Sequence, residues 1–252
     1  NNQKRFLFVF FYFHFFVCIL SELTAGIING KKAPKESLPY MVSLQNKRRH
    51  VCGGFVISED FVATSAFCDG SPTHVVLGSH NLKKGYDEGI MKTMIFIVLM
   101  LCLQLSSKVQ TGSKVQRIPL PPAEIKLKDN QVCQVAGWGL TETGAPADEL
   151  RVVDVPVINP QVCQNEWGSL LANVICAGGY GTKKGFCQGD GGDPLVCSGI
   201  AVVIVSFSKK SDCEQPDSPH VYTDISKHLQ WINKILKQEL EVFKFCVRKR
   251  LM

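Results

Sequence analysis

The 252 residues contain no CxxC pair, no zinc-finger spacing, no phosphate-binding P-loop and no dinucleotide-binding glycine fingerprint. Metal and nucleotide chemistry are therefore not expected, and neither is a cofactor. The Asn-x-Ser/Thr acceptor is missing too, which argues against attached N-glycans. No Asp or Glu occurs between Glu88 and Glu124. Charge of one sign is scarce in the body of the chain. The net charge is +6, but residues 237–252 hold five basic and two acidic side chains, and the first 26 residues hold two and one. The remainder is close to neutral, so a nucleic-acid groove is not expected.

Cysteine, by contrast, is abundant. Eleven occur at irregular spacing, which favours disulfides and an oxidising compartment over zinc. Residues 4–20, KRFLFVFFYFHFFVCIL, open with two cations and continue as an apolar run before the polar SELTAG. This pattern predicts a secretory signal followed by a short propeptide over 1–26, the alternative being a membrane anchor. No stable membrane span is expected in the mature chain, because a span needs roughly 20 apolar residues.

Between the ends, short apolar runs are broken by Gly, Pro and Asn: YMVSLQ, HVCGGFVIS, DFVATSAF, HVVLGSH, QVCQVAGWG, LRVVDVPVI, IAVVIVSF and HVYTDI. Many short strands at this spacing predict an all-β sandwich or barrels. Residues 106–130 carry three prolines and little alternation, and read as a crossing between two β units. The continuous run MIFIVLMLCLQL at 94–105 predicts a buried strand, or else a foreign segment. Leu229, Ile232, Ile235, Leu236, Leu240 and Phe243 recur at helical spacing, with Asp224 or Ser226 available as the cap. The tail 237–252 reads as a solvated basic end.

Several motifs follow one another in a recognisable order. They are Ile27-Ile28-Asn29-Gly30, Cys52-Gly53-Gly54-Phe55-Val56-Ile57-Ser58, Gly137-Trp138-Gly139, Cys176-Ala177-Gly178, Gly189-Asp190 through Pro194-Leu195, and Pro219-His220-Val221-Tyr222 before Trp231. Over roughly residues 27–236 the chain resembles the chymotrypsin/trypsin-like serine proteases, with wording nearest the granzyme and mast-cell-protease branch. The resemblance implies two six-stranded antiparallel β-barrels with the active site between them, and a C-terminal α-helix. It implies pairing of Cys52 with Cys68, Cys133 with Cys197, Cys163 with Cys176 and Cys187 with Cys213. Cys18, Cys102 and Cys246 are left over, and Cys102 has no basic neighbour to lower its pKa.

The chemistry of that family needs a hydroxyl, an imidazole and a buried carboxylate. Its imidazole directly precedes the second cysteine of the first bridge, where this chain reads Thr64-Ser65-Ala66-Phe67-Cys68. Its nucleophile sits in Gly-Asp-Ser-Gly-Gly-Pro, where this chain reads Gly189-Asp190-Gly191-Gly192-Asp193-Pro194. Counting back from Leu103 puts Leu99 at the place of the carboxylate. Phenylalanine accepts no proton, and glycine offers no attacking oxygen, so the covalent route is closed. His50, His74 and His80 are expected to be satisfied or surface histidines rather than substitutes.

The resemblance also implies an activation pair between the amino terminus at Ile27 and Asp190, and an oxyanion-hole remnant at Gly189 and Gly191. Asp193 stands where the family has Gly. It reads either as a group that pairs with Ile27 or repels an oxyanion, or as an exposed turn residue. The specificity pocket is implied at Gly185, Ser206, Phe207, Ser208 and His220. The His220 ring is expected to fill that pocket, the alternative being an imidazolium that reaches an acidic side chain. The leading expectation is a monomeric pseudoprotease, secreted or held in a secretory granule, that acts by binding a protein or peptide partner. The alternatives are an active serine endopeptidase, if the sequence misreports Phe67 and Gly191, and a decayed gene product.

Overall fold

The computed structural model describes residues 27–65, 68, 71–84, 89–98, 102–168, 172–208 and 218–237. The predicted leader over 1–26 and most of the tail lie outside these residues, as do Phe67, Leu99 and Cys213.

The first half is a closed barrel. Its strands are β2 (Met41–Asn46), β3 (Arg49–Val56), β4 (Phe61–Ala63), β5 (His74–Leu77), β6 (Ile90–Val98) and β7 (Cys102–Leu105), joined in the order β2-β3-β4-β7-β6-β5. Every pair is antiparallel. Val42, Leu44, Val56, Val62, Val75, Leu77, Leu103 and Leu105 fill its interior. The β-branched side chains among them suit a pleated surface buried on its inner face.

The second half pairs seven strands. These are β1 (Lys31–Lys32), β8 (Val132–Gly137), β9 (Arg151–Pro156), β10 (Val174–Ala177), β11 (Pro194–Cys197), β12 (Ile200–Phe207) and β13 (His220–Asp224). The order is β1-β9-β8-β11-β12-β13-β10, an open sheet. A second closed barrel is thus not found among the described residues. The ends of the sheet approach through a single bridge, Val157 to Ala177, rather than a ladder. Two backbone bonds flank that bridge, from Gly178 N–H to Pro156 at 2.9 Å and from Ile158 N–H to Cys176 at 2.9 Å. Alternation sorts the side chains of β8 and β9 onto two faces. Cys133, Val135, Val153 and Val155 enter one cluster with Ile27 and Tyr222, while Ala136 and Val152 pack with Trp138 and Met41.

No strand occurs over 106–130. This segment bonds to both halves: Ile118 N–H donates to Val56 at 3.1 Å, and Ala201 N–H donates to Pro119 at 3.0 Å. The apolar run at 94–105 is not one strand. It supplies the end of β6 and all of β7, two antiparallel arms with Ile97 opposite Leu103.

One short helix, α1 (Pro160–Trp167), escapes the sequence reading. Asn159 caps it by accepting from Gln161 N–H at 2.8 Å, and proline suits its first turn. The helix expected near the end is met over 229–237, after a 3-10 turn at Ile225–His228. Asp224 is the cap, accepting from Ser226 N–H at 2.8 Å. Ile232, Leu229 and Leu236 pack with Phe55, Phe61 and Ile204, while Leu240 and Phe243 lie outside the described residues.

Three bridges are formed: Cys52–Cys68, Cys133–Cys197 and Cys163–Cys176. Cys187 is also disulfide-bonded. Cys102 is free and buried, and desolvation pushes its thiol up to about 12, so it stays un-ionised and inert. Among the described residues no helix is long and apolar enough to cross a membrane.

Leu103→Ala removes a fully buried side chain from the barrel and is expected to cost about 2–5 kcal/mol. Met91→Ala, on the paired strand β6 but 53% exposed, is expected to stay within about 0.5 kcal/mol. Urea unfolding of the two variants checks this. Equal effects would show that the apolar run does not build the core.

Candidate functional site

The loop from Cys187 to Pro194 is held almost entirely by backbone contacts. Asp190 N–H donates to Cys187 at 3.1 Å and Asp193 N–H to Asp190 at 3.1 Å. Gly192 N–H donates to Val205 at 3.0 Å, and Val205 N–H returns a bond to Asp193 at 2.9 Å. The barrel side is tied by Gly53 N–H, which donates to Gly191 at 3.0 Å. Gly192 has φ +96, and a Cβ there would fall 2.4 Å from both Gly53 O and Thr64 Oγ1. Only glycine fits that position. Gly191 is different, because a Cβ built on it meets no described residue within 4 Å.

His50, on β3, joins this loop to the barrel. Its Nδ1 lies 2.9 Å from Ser43 Oγ and its Nε2 lies 2.9 Å from the Gly189 carbonyl. One nitrogen must donate to the carbonyl, which leaves Nδ1 to accept from the serine hydroxyl. Burial lowers the His50 pKa to about 4, against a smaller opposing effect of the Gly189 bond. It is neutral at pH 7 and is occupied as a brace. Neither the Gly189 nor the Gly191 N–H donates to a described residue. His74 contacts Thr73 through Nδ1, and the His80 carbonyl accepts from Trp138 Nε1.

Asp190 is wholly buried. Its oxygens accept from Gly139 N–H at 2.7 Å and Cys187 N–H at 2.9 Å. Desolvation outweighs these bonds and raises its pKa to about 7. Ile27 is buried in the core cluster of the second half, and Ile28 N–H donates to Gly185 at 3.0 Å. Asp193 is also wholly buried, which rules out the exposed-turn reading. Desolvation first, and Asp190 second, hold its carboxyl well above the usual range. The Gly54 amide offsets a little of this, yet neither Asp193 oxygen completes a hydrogen bond.

Of the residues expected at the specificity pocket, Gly185 and His220 meet. His220 is 3% exposed. Its centroid lies 4.5 Å from that of Phe186. A Cβ on Gly185 would fall 2.3 Å from His220 Nδ1, and one on Gly179 would fall 2.8 Å from Cδ2. The ring therefore occupies the space above Gly185. Burial lowers its pKa to about 4, so the environment holds neutral imidazole rather than imidazolium. Ser206, Phe207 and Ser208 are partly buried at the end of β12, with Phe207 edge-on to Trp167 at 5.2 Å. A separate cavity of about 370 Å³, lined in part by Lys35, His80, Lys114 and Glu149, lies apart from this loop. Among the described residues no cluster fits a metal ion.

Comparison with known proteins accounts for this arrangement. The family model described as trypsin matches residues 27–232. The chain belongs to the trypsin family. It is 36% identical to rat granzyme-like protein 1 over 233 residues, covering 85% of this chain and 92% of that protein. It is 35% identical to sheep mast cell protease 3, covering 84% and 90%. Among solved structures, mouse neuropsin, a serine protease, matches with a TM-score of 0.75 at 26% identity, covering 83% of this chain and all of that one.

Two features of this trypsin-family site were not legible beforehand: the bracing role of His50 and the burial of Asp193. The partners of His50 lie 7 and 139 residues away, beyond any local motif.

The neutral state of His220 generates a pH prediction. Its pKa is about 4 in the folded chain and about 6.5 when unfolded. The unfolded chain therefore binds the proton first, and stability falls as pH drops from about 6.5 towards 4. The loss attributable to His220 is roughly 3 kcal/mol. His220→Gln is expected to flatten part of that acid limb in chemical unfolding at stepped pH. An unchanged slope would contradict a neutral buried ring.

Proposed function

We propose that this chain is a catalytically silent, granzyme-like member of the trypsin family that acts by binding a protein or peptide in the inherited cleft. It is exported, as a secreted protein or one stored in a secretory granule, and works as a monomer. Four cysteines in two bridges of the second half and two in the first fit an oxidising compartment.

The observation that carries the reading is at Gly191. By the family pattern this is the nucleophile's place. The loop around it bonds to Gly53 and Val205, and no described residue lies within 4 Å of the place a Cβ would take. What is missing is the attacking oxygen, not the seat. Phe67, at the imidazole's place, supplies no base, and Leu99 supplies no carboxylate. Removing even one member of such a triad typically lowers the rate by roughly 10⁴–10⁶. Binding needs none of the three.

The specificity pocket supports the same reading independently. With the His220 ring over Gly185, a large side chain has nowhere to enter. No carboxylate stands at Gly185, so a preference for Lys or Arg is not implied.

The test is a fluorophosphonate probe on chain beginning at Ile27. The unaltered chain is expected to remain unlabelled. Gly191→Ser is expected to fold with a melting temperature within about 2 °C of the parent, because the added atoms enter open space. It is also expected to stay essentially unlabelled, since no imidazole takes its proton. Labelling of the unaltered chain would establish an active endopeptidase instead. Loss of folding in Gly191→Ser would show that the seat is not preserved.

A further inference from the structure

Asp190 and Asp193 converge on one point. A Cβ built on Gly137 would fall 2.2 Å from Asp190 Oδ1 and 2.4 Å from Asp193 Oδ2. The two oxygens are therefore within about 5 Å of each other, the range in which like charges oppose each other's ionisation. Both side chains are fully buried. Asp190 has two backbone donors, whereas among the described residues neither Asp193 oxygen completes a hydrogen bond, the Gly54 amide acting on it only weakly. A Cβ on Gly53 would collide with both of those oxygens, so the Asp193 side chain fills the hollow between Gly53 and Gly137. An ionised carboxylate with no donor and a second acid alongside is costly to bury.

We propose that Asp190 and Asp193 act as one buried carboxyl pair that keeps a proton, so that closure of the 187–194 loop onto the barrel is proton-linked. This inference is independent of whether the chain cleaves peptides. The proton sits on Asp193, because Asp190 is the one whose oxygens accept backbone N–H bonds. The Asp193 O–H can then donate towards Asp190, and a single negative charge remains.

The other groups around the pair do not replace that proton. Tyr40, before β2, has its phenol pushed up to about 12 by burial and by Asp193, so it is neutral. Tyr222, on β13, is raised by burial and then by Asp190, and is neutral too. His50, on β3, touches the loop through Gly189 and is also neutral. Among the described residues no Lys, Arg or His makes an ion pair with either acid. A pair with a raised folded pKa binds its proton more tightly than the unfolded chain does. Its contribution to stability is complete at low pH and is lost as pH rises through the folded value. The decline expected from this pair begins near the unfolded carboxyl value of about 4 and runs until the folded values are passed, about 7 for Asp190; its sign is opposite to that of the decline from His50 and His220.

The test compares the parent with Asp193→Asn and Asp193→Gly, each carrying the segment before Ile27. The asparagine variant mimics the protonated acid in shape. The glycine variant restores the residue the family pattern places there, and keeps the test open if the asparagine variant folds poorly. Melting temperature is measured from pH 5 to pH 9. The parent is expected to lose roughly 5 °C or more as pH rises from 5, and the variants, which keep only Asp190, are expected to lose distinctly less. Infrared spectroscopy of the parent near pH 6 is expected to show a protonated-carboxyl stretch that Asp193→Asn lacks. A decline with rising pH that is as large in both variants as in the parent, or absence of that band in the parent, overturns the proposal.

Discussion

The site depends on a backbone loop pressed against strand β3 through glycine. Gly53 leaves the hollow that the Asp193 carboxyl enters, and its N–H holds the Gly191 carbonyl. Its own carbonyl accepts from Thr64 Oγ1 at 2.8 Å and limits residue 192 to glycine. His50, on the same strand, fixes the Gly189 carbonyl. One strand of the first barrel thus sets the loop at residues 189, 191, 192 and 193. The loop's far side is pinned by Val205 and Gly139, from the second half. The cleft is defined by this two-sided grip, so the barrel and the sheet cannot separate without undoing the loop.

Charge inside that grip is sparse and protonation is used to keep it so. Two histidines are held neutral by burial at pH values where an exposed one begins to charge. Two carboxyls are held towards the neutral form. These tendencies pull in opposite directions along the pH axis. The unfolded chain binds protons on its imidazoles below about pH 6.5 and releases them from its carboxyls above about pH 4. Between those values the two effects oppose each other and partly cancel.

Much of the fold could be read from the chain because alternation and turn residues are local signals. The runs YMVSLQ, HVCGGFVIS, QVCQVAGWG and IAVVIVSF all hold strands. The run at 94–105 was harder. It contains no Gly, Pro, Asn or Asp to mark a reversal, so its division between β6 and β7 had no local cue. The helix α1 is eight residues long and buries only Cys163, too little for a periodic apolar face to emerge. The open second sheet turns on pairings between distant strands. At the site, motif order located the loop. It could not say whether Asp193 faced water, because that depends on Gly53 and Gly137, which belong to two other strands.

The same geometry explains why residue 191 tolerates either a side chain or none. It contributes its carbonyl to Gly53, and no described residue lies within 4 Å of a Cβ placed there. A serine there would make few packing contacts, so replacing it with glycine forms no cavity of the kind that destabilises a core. The neighbouring glycines are under the opposite constraint. A β-carbon at 192 would strike Gly53 and Thr64, and one at 137 would strike both buried acids. Selection for stability alone therefore preserves the shape of the loop and its paired amides while leaving residue 191 free to vary.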